Sequence, residues 1–150
     1  MTTTRQLTFP FTQVDQLLPQ SGAMIQVDRV LDYGANYIVT EFTIRPNNIL
    51  LEGDKFVNYS ALEVMAQSIG CWEGCRSYSQ GKPIRLGYFL GSRKIDFYCD
   101  AIEIGTTLEI KVQLSLQDET GFGVFDVELF EKASQKLLIK AALNVYSPNK

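Results

Sequence analysis

Asn58-Tyr59-Ser60-Ala61-Leu62-Glu63-Val64-Met65-Ala66-Gln67-Ser68-Ile69-Gly70-Cys71-Trp72-Glu73-Gly74-Cys75-Arg76-Ser77-Tyr78 is the one stretch of this chain that reads as a long helix, and what surrounds it decides the fold. Leu62, Met65, Ala66 and Ile69 recur at helical spacing, and Gln80-Gly81-Lys82-Pro83 supplies the stop. Glu63 and Gln67 stand one turn apart and share a face beside that apolar stripe. A carboxyl group set against a buried face is a candidate acid or base, because desolvation raises its pKa towards neutrality. The chain holds no histidine, so no imidazole of its own can share the work. Ser60-Ala61-Leu62-Glu63 also fits a capping box, in which Glu63 would only return a hydrogen bond to the helix start.

Outward from the helix, the pattern turns to strands. Upstream, Gln13 to Leu18 reads as a short helical turn stopped by Pro19. Met24 to Tyr33 and Tyr37 to Ile44 read as two strands around the Gly34-Ala35-Asn36 turn. Residues 49 to 57 form a connection. Downstream, Leu86 to Asp96 is one run with a bend near Gly91, and Leu108 to Gln117 alternates apolar and polar side chains, the mark of a sheet with one buried face. Asp118-Glu119-Thr120-Gly121 reads as a hairpin turn, and Val124 to Phe130 and Leu137 to Val145 complete the set. Two strands, one long helix and about four antiparallel strands are most economically packed as a curved antiparallel sheet wrapped around one central helix. This is an α+β chain with the hotdog fold, expected as a single domain over residues 1–150. Open sheet edges call for a dimer.

The 150 residues are 45% hydrophobic and 21% charged, with a net charge of -3, so nothing in the balance points to nucleic acid. No apolar run approaches the roughly 18 residues of a membrane span. Met1-Thr2-Thr3-Thr4-Arg5-Gln6 lacks the order of a signal peptide, which makes the cytoplasm the expected location. Cys71, Cys75 and Cys99 read as free thiols packed as small side chains, and no spacing completes a metal site.

With the helix and its flanks placed, the chain resembles the hotdog dehydratases that act on 3-hydroxyacyl groups of acyl carrier protein. Leu17-Leu18-Pro19-Gln20, followed by Val27-Asp28-Arg29-Val30, is similar to that family's opening, and Leu62-Glu63-Val64-Met65-Ala66-Gln67 to its helix signature. Gly121-Phe122-Gly123-Val124-Phe125 and Ala142-Leu143-Asn144-Val145-Tyr146 are similar to a subgroup associated with aryl polyene biosynthesis. The resemblance implies Glu63 as the catalytic acid and a substrate carried on phosphopantetheine, with no cofactor of the protein's own. The family's Gly-His-Phe-Pro motif is missing here: Ile49-Leu50-Leu51-Glu52-Gly53-Asp54-Lys55 stands in its place. The aryl polyene subgroup usually keeps a histidine after Leu-Pro, where this chain has Gln20.

Dehydration needs a base at the carbon alpha to the thioester, an acid for the departing hydroxyl and polarisation of the carbonyl. Amides near Asn58 to Ala61 could supply the last. Glu63, Gln20 and Gln67 are the candidate catalytic residues, Gln67 as an orienter, with Asp54 or Glu52 as stand-ins for a base. Three readings stay open: a dehydratase lacking the usual histidine, a thioesterase using the helical carboxylate, and a non-catalytic acyl-carrier-binding subunit paired with an active relative. Arg93 and Lys94, extended by Arg76, Lys82 and Arg85, could hold an acidic carrier protein and its phosphopantetheine. Trp72, Tyr59, Phe56 and Phe89 could line an acyl tunnel, or be core. Gly70 and Gly74 allow another backbone close to the helix, in the sheet or on a partner helix. Asp28 and Arg29 point to opposite faces of a strand and form no joint site. The expected assembly is a homodimer, or a heterodimer with a relative.

Overall fold

A computed structural model of the protein describes residues 4–148. Met1–Thr3, part of the start read above as lacking a signal peptide, and Asn149–Lys150 lie outside the described residues. The strands are β1 (Arg29–Gly34), β2 (Tyr37–Thr43), the two-residue β3 (Phe56–Val57), β4 (Tyr88–Phe97), the two-residue β5 (Ala101–Ile102), β6 (Thr107–Gln117), β7 (Phe122–Glu131) and β8 (Lys136–Tyr146). The single α-helix described, α1 (Ala61–Ser79), lies between β3 and β4 and follows a 3-10 turn over Asn58–Ser60. Six strands make one antiparallel sheet in the order β1-β2-β6-β7-β8-β4, and β3 pairs with β5 apart from it.

The alternation read in the sequence becomes rows across the sheet. Ile38, Val112, Val127 and Ala141 form one row, and Thr40, Ile110, Leu129 and Ile139 the next. All eight side chains are buried, on the face that carries α1. Each large aliphatic side chain so removed from water stabilises the fold by about 1.5–3 kcal/mol. A buried polar link also joins the layers: Ser68 Oγ donates to Val64 O at 2.8 Å, so the Thr40 hydroxyl donates to Ser68 Oγ at 2.7 Å.

The helix is buried on nearly every side. Val64, Met65, Ile69 and Trp72 are at most 1% exposed, and Trp72 donates from Nε1 to Gly34 O and meets the Phe125 ring edge-on at 5.5 Å. Away from the sheet, the N-terminal segment covers it: Leu17 and Leu18 are buried. A Cβ on Gly74 would stand 2.1 Å from Leu17 O, and one on Gly70 3.0 Å from Leu18 Cδ2. The backbone that Gly74 admits is therefore that of Leu17 rather than the sheet, and Gly70 makes room for the Leu18 side chain.

Two expected local structures differ. The first strand starts at Arg29 rather than Met24, because Gly22–Met24 forms a 3-10 turn and the Gln26 N–H bonds to the helix side chain Gln67 instead of a neighbouring strand. The capping box is absent: Ser60 has helical backbone angles and makes no side-chain cap bond, since the 3-10 turn runs directly into α1. Asp28 and Arg29 part as expected, Asp28 to Arg45 and Arg29 to Glu41.

The sheet edges are unequal. Beside β1, Phe11 exchanges two backbone hydrogen bonds with Val30, at 2.8 and 2.9 Å. β4 has no strand beyond it among the described residues. It bends at Gly91, where φ is +118°, and its first residues Tyr88, Phe89 and Leu90 are exposed together with Leu86.

Candidate functional site

A cleft of about 180 Å³ follows the helix where the N-terminal segment and the start of β4 diverge. Glu63, Ala66, Gly70 and Glu73 form its floor, Leu18-Pro19-Gln20 one wall, and Gly87, Phe89, Val145 and Ser147 the other. Glu63 and Glu73 are ten residues apart on the helix, which makes the floor about 15 Å long. Small side chains at Ala66 and Gly70 leave its middle open, and the exposed edge of β4 forms its rim.

Glu63 is held rather than loose. Gln67, 2% exposed, accepts the Gln26 N–H on Oε1 at 2.8 Å, and donates from Nε2 to Met24 O and to Glu63 Oε2, both at 2.8 Å. The backbone amide decides which way the carboxamide points, so its NH₂ must face the carboxylate. Glu63 Oε2 is therefore an acceptor, and no hydrogen bond reaches Oε1 among the described residues. Behind this pair, Gln26 is itself fixed: Asn48 Nδ2 donates to Gln26 Oε1 at 2.8 Å. The orienting role expected of Gln67 has this geometry. The support from Gln26 and Asn48 has no signature in the sequence, because those contacts are 41 and 22 residues apart.

Gln20 lines the same cleft, and so does Phe89. The other expectations fare differently. Phe56 and Trp72 are core and do not line this cleft, while Tyr59 is exposed and donates to Glu52. That contact and an isolated bridge to Lys55 keep Glu52 on the surface, and neither it nor Asp54 lines the cleft with Glu63. Of the amides near Asn58 to Ala61, the Asn58 N–H is already taken by Asp100 O at 3.0 Å and the Ala61 N–H by Asn58 O. Arg93 bonds Asn144 and Lys94 pairs with Asp96 on β4, outside the cleft lining. Arg85 does line it and pairs with Glu73, which Arg76 also contacts, so the far end of the floor is ionic. Glu73 and Ser147 are lining residues that sequence reasoning missed. Cys71 and Cys75 are buried thiols, and burial pushes the Cys75 thiol up to about 12. No group of histidine, cysteine or carboxylate side chains among the described residues could hold a metal, and no described helix is long and apolar enough to cross a membrane.

A curved six-stranded sheet around one helix, with a tethered carboxylate in a cleft at its open edge, is the hotdog architecture. The ApeP-like family, described as ApeP dehydratase, matches residues 12–150. The chain belongs to this family of dehydratases, the type anticipated from the sequence. Its structure is similar to the dehydratase heterocomplex ApeI:P from Xenorhabdus doucetiae, with 32% identity, 91% of both chains covered and a TM-score of 0.82. Similar in fold alone are zebra fish thioesterase superfamily member 2 (18% identity, 91% of this chain and 93% of that one, TM-score 0.64) and a hypothetical thioesterase with coenzyme A from Streptococcus pneumoniae (17%, 79% and 83%, 0.60). Comparison with curated proteins finds no match.

Proposed function

We propose that this chain, one hotdog domain acting in the cytoplasm, is the carboxylate-bearing subunit of a two-chain dehydratase for 3-hydroxyacyl thioesters on an acyl carrier protein. The observation that carries the reading is Glu63, held by Gln67 in a cleft beside an unpaired strand edge, in a chain with no histidine. A relative seated along β4 would cover Leu86, Tyr88 and Phe89 and bring the missing imidazole to the cleft. The similar ApeI:P protein is a heterocomplex, which favours this over a homodimer.

In the step itself the partner's base takes the proton from C2 of the acyl chain, the C2–C3 double bond forms, and the C3–O bond breaks. Glu63 delivers a proton from Oε1 to the departing hydroxyl, which leaves as water. Gln67 keeps Oε2 occupied, so the proton sits on the oxygen that faces the ligand. No cofactor of the protein's own is needed, since phosphopantetheine carries the substrate. Arg93 and Lys94 remain as an exposed cationic pair on β4 for an acidic carrier.

The test is turnover of a 3-hydroxyacyl-carrier thioester followed by enoyl absorbance, with this chain alone and with its histidine-bearing relative. The chain alone is expected to be slower by about 10²–10⁴-fold, the usual worth of a general base. Glu63→Gln in the complex should lower the rate by a similar factor with unchanged folding. Full activity of the complex with Glu63→Gln would refute the assignment, and release of free thiol without enoyl product would make the protein a thioesterase.

A further inference from the structure

Two buried side-chain polar atoms have no hydrogen-bond partner among the described residues: Gln20 Oε1 and Ser147 Oγ. Both residues line the Glu63 cleft. Ser147 is only 3% exposed, and its backbone N–H is fixed by Gly121 O at 2.9 Å. Neither lies on the helix, and they come from opposite walls. An orphaned buried polar atom is costly, and native interiors rarely keep one. Two of them, on residues that line the same cleft, point to a ligand that reaches them as it settles between the walls and supplies what each lacks.

Their chemistry says what that ligand carries. Gln20 Oε1 can only accept, so it needs a donor. The thioester group has none, because its carbonyl and sulfur only accept; the pantetheine amides do carry N–H donors, but they lie beyond the sulfur, away from the acyl carbons. A plain alkyl or enoyl chain adds none. A hydroxyl on the chain does. Ser147 Oγ can donate, and the thioester carbonyl can receive it. A 3-hydroxyacyl thioester offers one donor and one acceptor two carbons apart, whereas a saturated or enoyl thioester has no donor on the acyl side of its carbonyl.

We propose that Gln20 and Ser147 are the specificity-determining pair of this cleft, Gln20 accepting the substrate's 3-hydroxyl and Ser147 donating to its thioester carbonyl. Gln20 is then a recognition group, not a weak substitute for a base. The same contact favours release of the enoyl product, which has lost the hydroxyl that Gln20 binds. This inference rests on the proposed function and gives its site a means of telling substrate from product.

Binding separates the two claims, because it needs no turnover. The full chain is titrated with S-(3-hydroxyoctanoyl)pantetheine and with S-octanoyl pantetheine, which differ only in the hydroxyl. The hydroxylated thioester is expected to bind about 3–10-fold more tightly, the range for one net hydrogen bond. Gln20→Met keeps the shape and removes the acceptor, so that preference should fall to near unity while octanoyl binding stays within about twofold. Ser147→Ala should weaken both thioesters about equally, by roughly 2–10-fold, since both carry the carbonyl. Octanoyl binding also shows that each variant is folded. Equal binding of the two thioesters by the unaltered chain, or an undiminished preference in Gln20→Met, overturns the pair and leaves the dehydratase reading standing. Unchanged affinity in Ser147→Ala removes Ser147 from it. If neither thioester binds, to the chain alone or to its complex with the histidine-bearing relative, the cleft is not an acyl site and both claims fall together.

Discussion

Replacing Gln67 by methionine, which keeps the length of the side chain and removes every polar atom, probes the arrangement that holds Glu63. Three hydrogen bonds disappear at once, but they are not equal. The Gln26 N–H belongs to a residue only 3% exposed and is left without its acceptor, which costs about 1–3 kcal/mol. Met24 is 52% exposed, so water can take over at its carbonyl. The bond to Glu63 lies in the half-open cleft and contributes about 0.5–1.5 kcal/mol. The sum is about 1.5–4.5 kcal/mol, or roughly 3–18 °C in Tm for a chain of this size. Urea unfolding of the unaltered protein and Gln67→Met, with equal m-values, measures it. Gln67→Glu adds a signed control. Its carboxylate still accepts the Gln26 N–H, yet it lies against Glu63, and two carboxylates in contact raise the pKa of the pair. A group whose pKa rises on folding stabilises at low pH and loses that contribution as pH increases, so Gln67→Glu should be closest to the parent in acid and fall behind towards neutrality. A Gln67→Met protein within about 0.5 kcal/mol of the parent would refute the claim that this carboxamide is what ties the 24–26 segment and Glu63 together.

Three further outcomes are expected. Gly74→Ala should destabilise by about 1–3 kcal/mol, towards the upper end because the obstructing atom is the Leu17 carbonyl oxygen; Gly70→Ala meets only the flexible end of Leu18 and should be nearly neutral, and equal urea midpoints for the two variants would contradict the packing described. Glu41 is partly desolvated, which would raise its pKa, but hydrogen bonds from Arg29 and Lys132 outweigh this and hold it below the usual carboxylate range. Its stabilisation is therefore complete above the unfolded carboxylate pKa of about 4.3 and is lost as pH falls further, so Glu41→Gln should be less stable by about 1–3 kcal/mol at pH 7, and the gap should narrow in acid denaturation curves. Cys71 and Cys75, buried and with thiol pKa values raised by burial, should resist iodoacetamide at pH 8 until the protein is unfolded, as read by mass spectrometry; rapid native labelling of either would place that side chain elsewhere.

What the sequence could disclose was whatever repeats at short range. Alternation in β6, β7 and β8, the glycine at the bend of β4 and the helical stripe with Glu63 and Gln67 each depend on neighbours a few residues away, and backbone geometry makes such periods unambiguous. The pairing of Glu63 with Gln67 was legible for the same reason, one turn of helix. The cleft was not. Its walls, Gln20 and Ser147, come from opposite ends of the chain, and only the packing of Leu17-Leu18 against Gly74 and of β4 beside β8 brings them to one place. The acceptor that ends the first strand early, Gln67 Oε1, lies 41 residues from the amide it binds, so local propensity could not foresee that Met24 would leave the sheet. Which carboxylate oxygen is free, which buried polar atoms lack partners and which edge stays open are properties of long-range contact, and tertiary structure alone decides them.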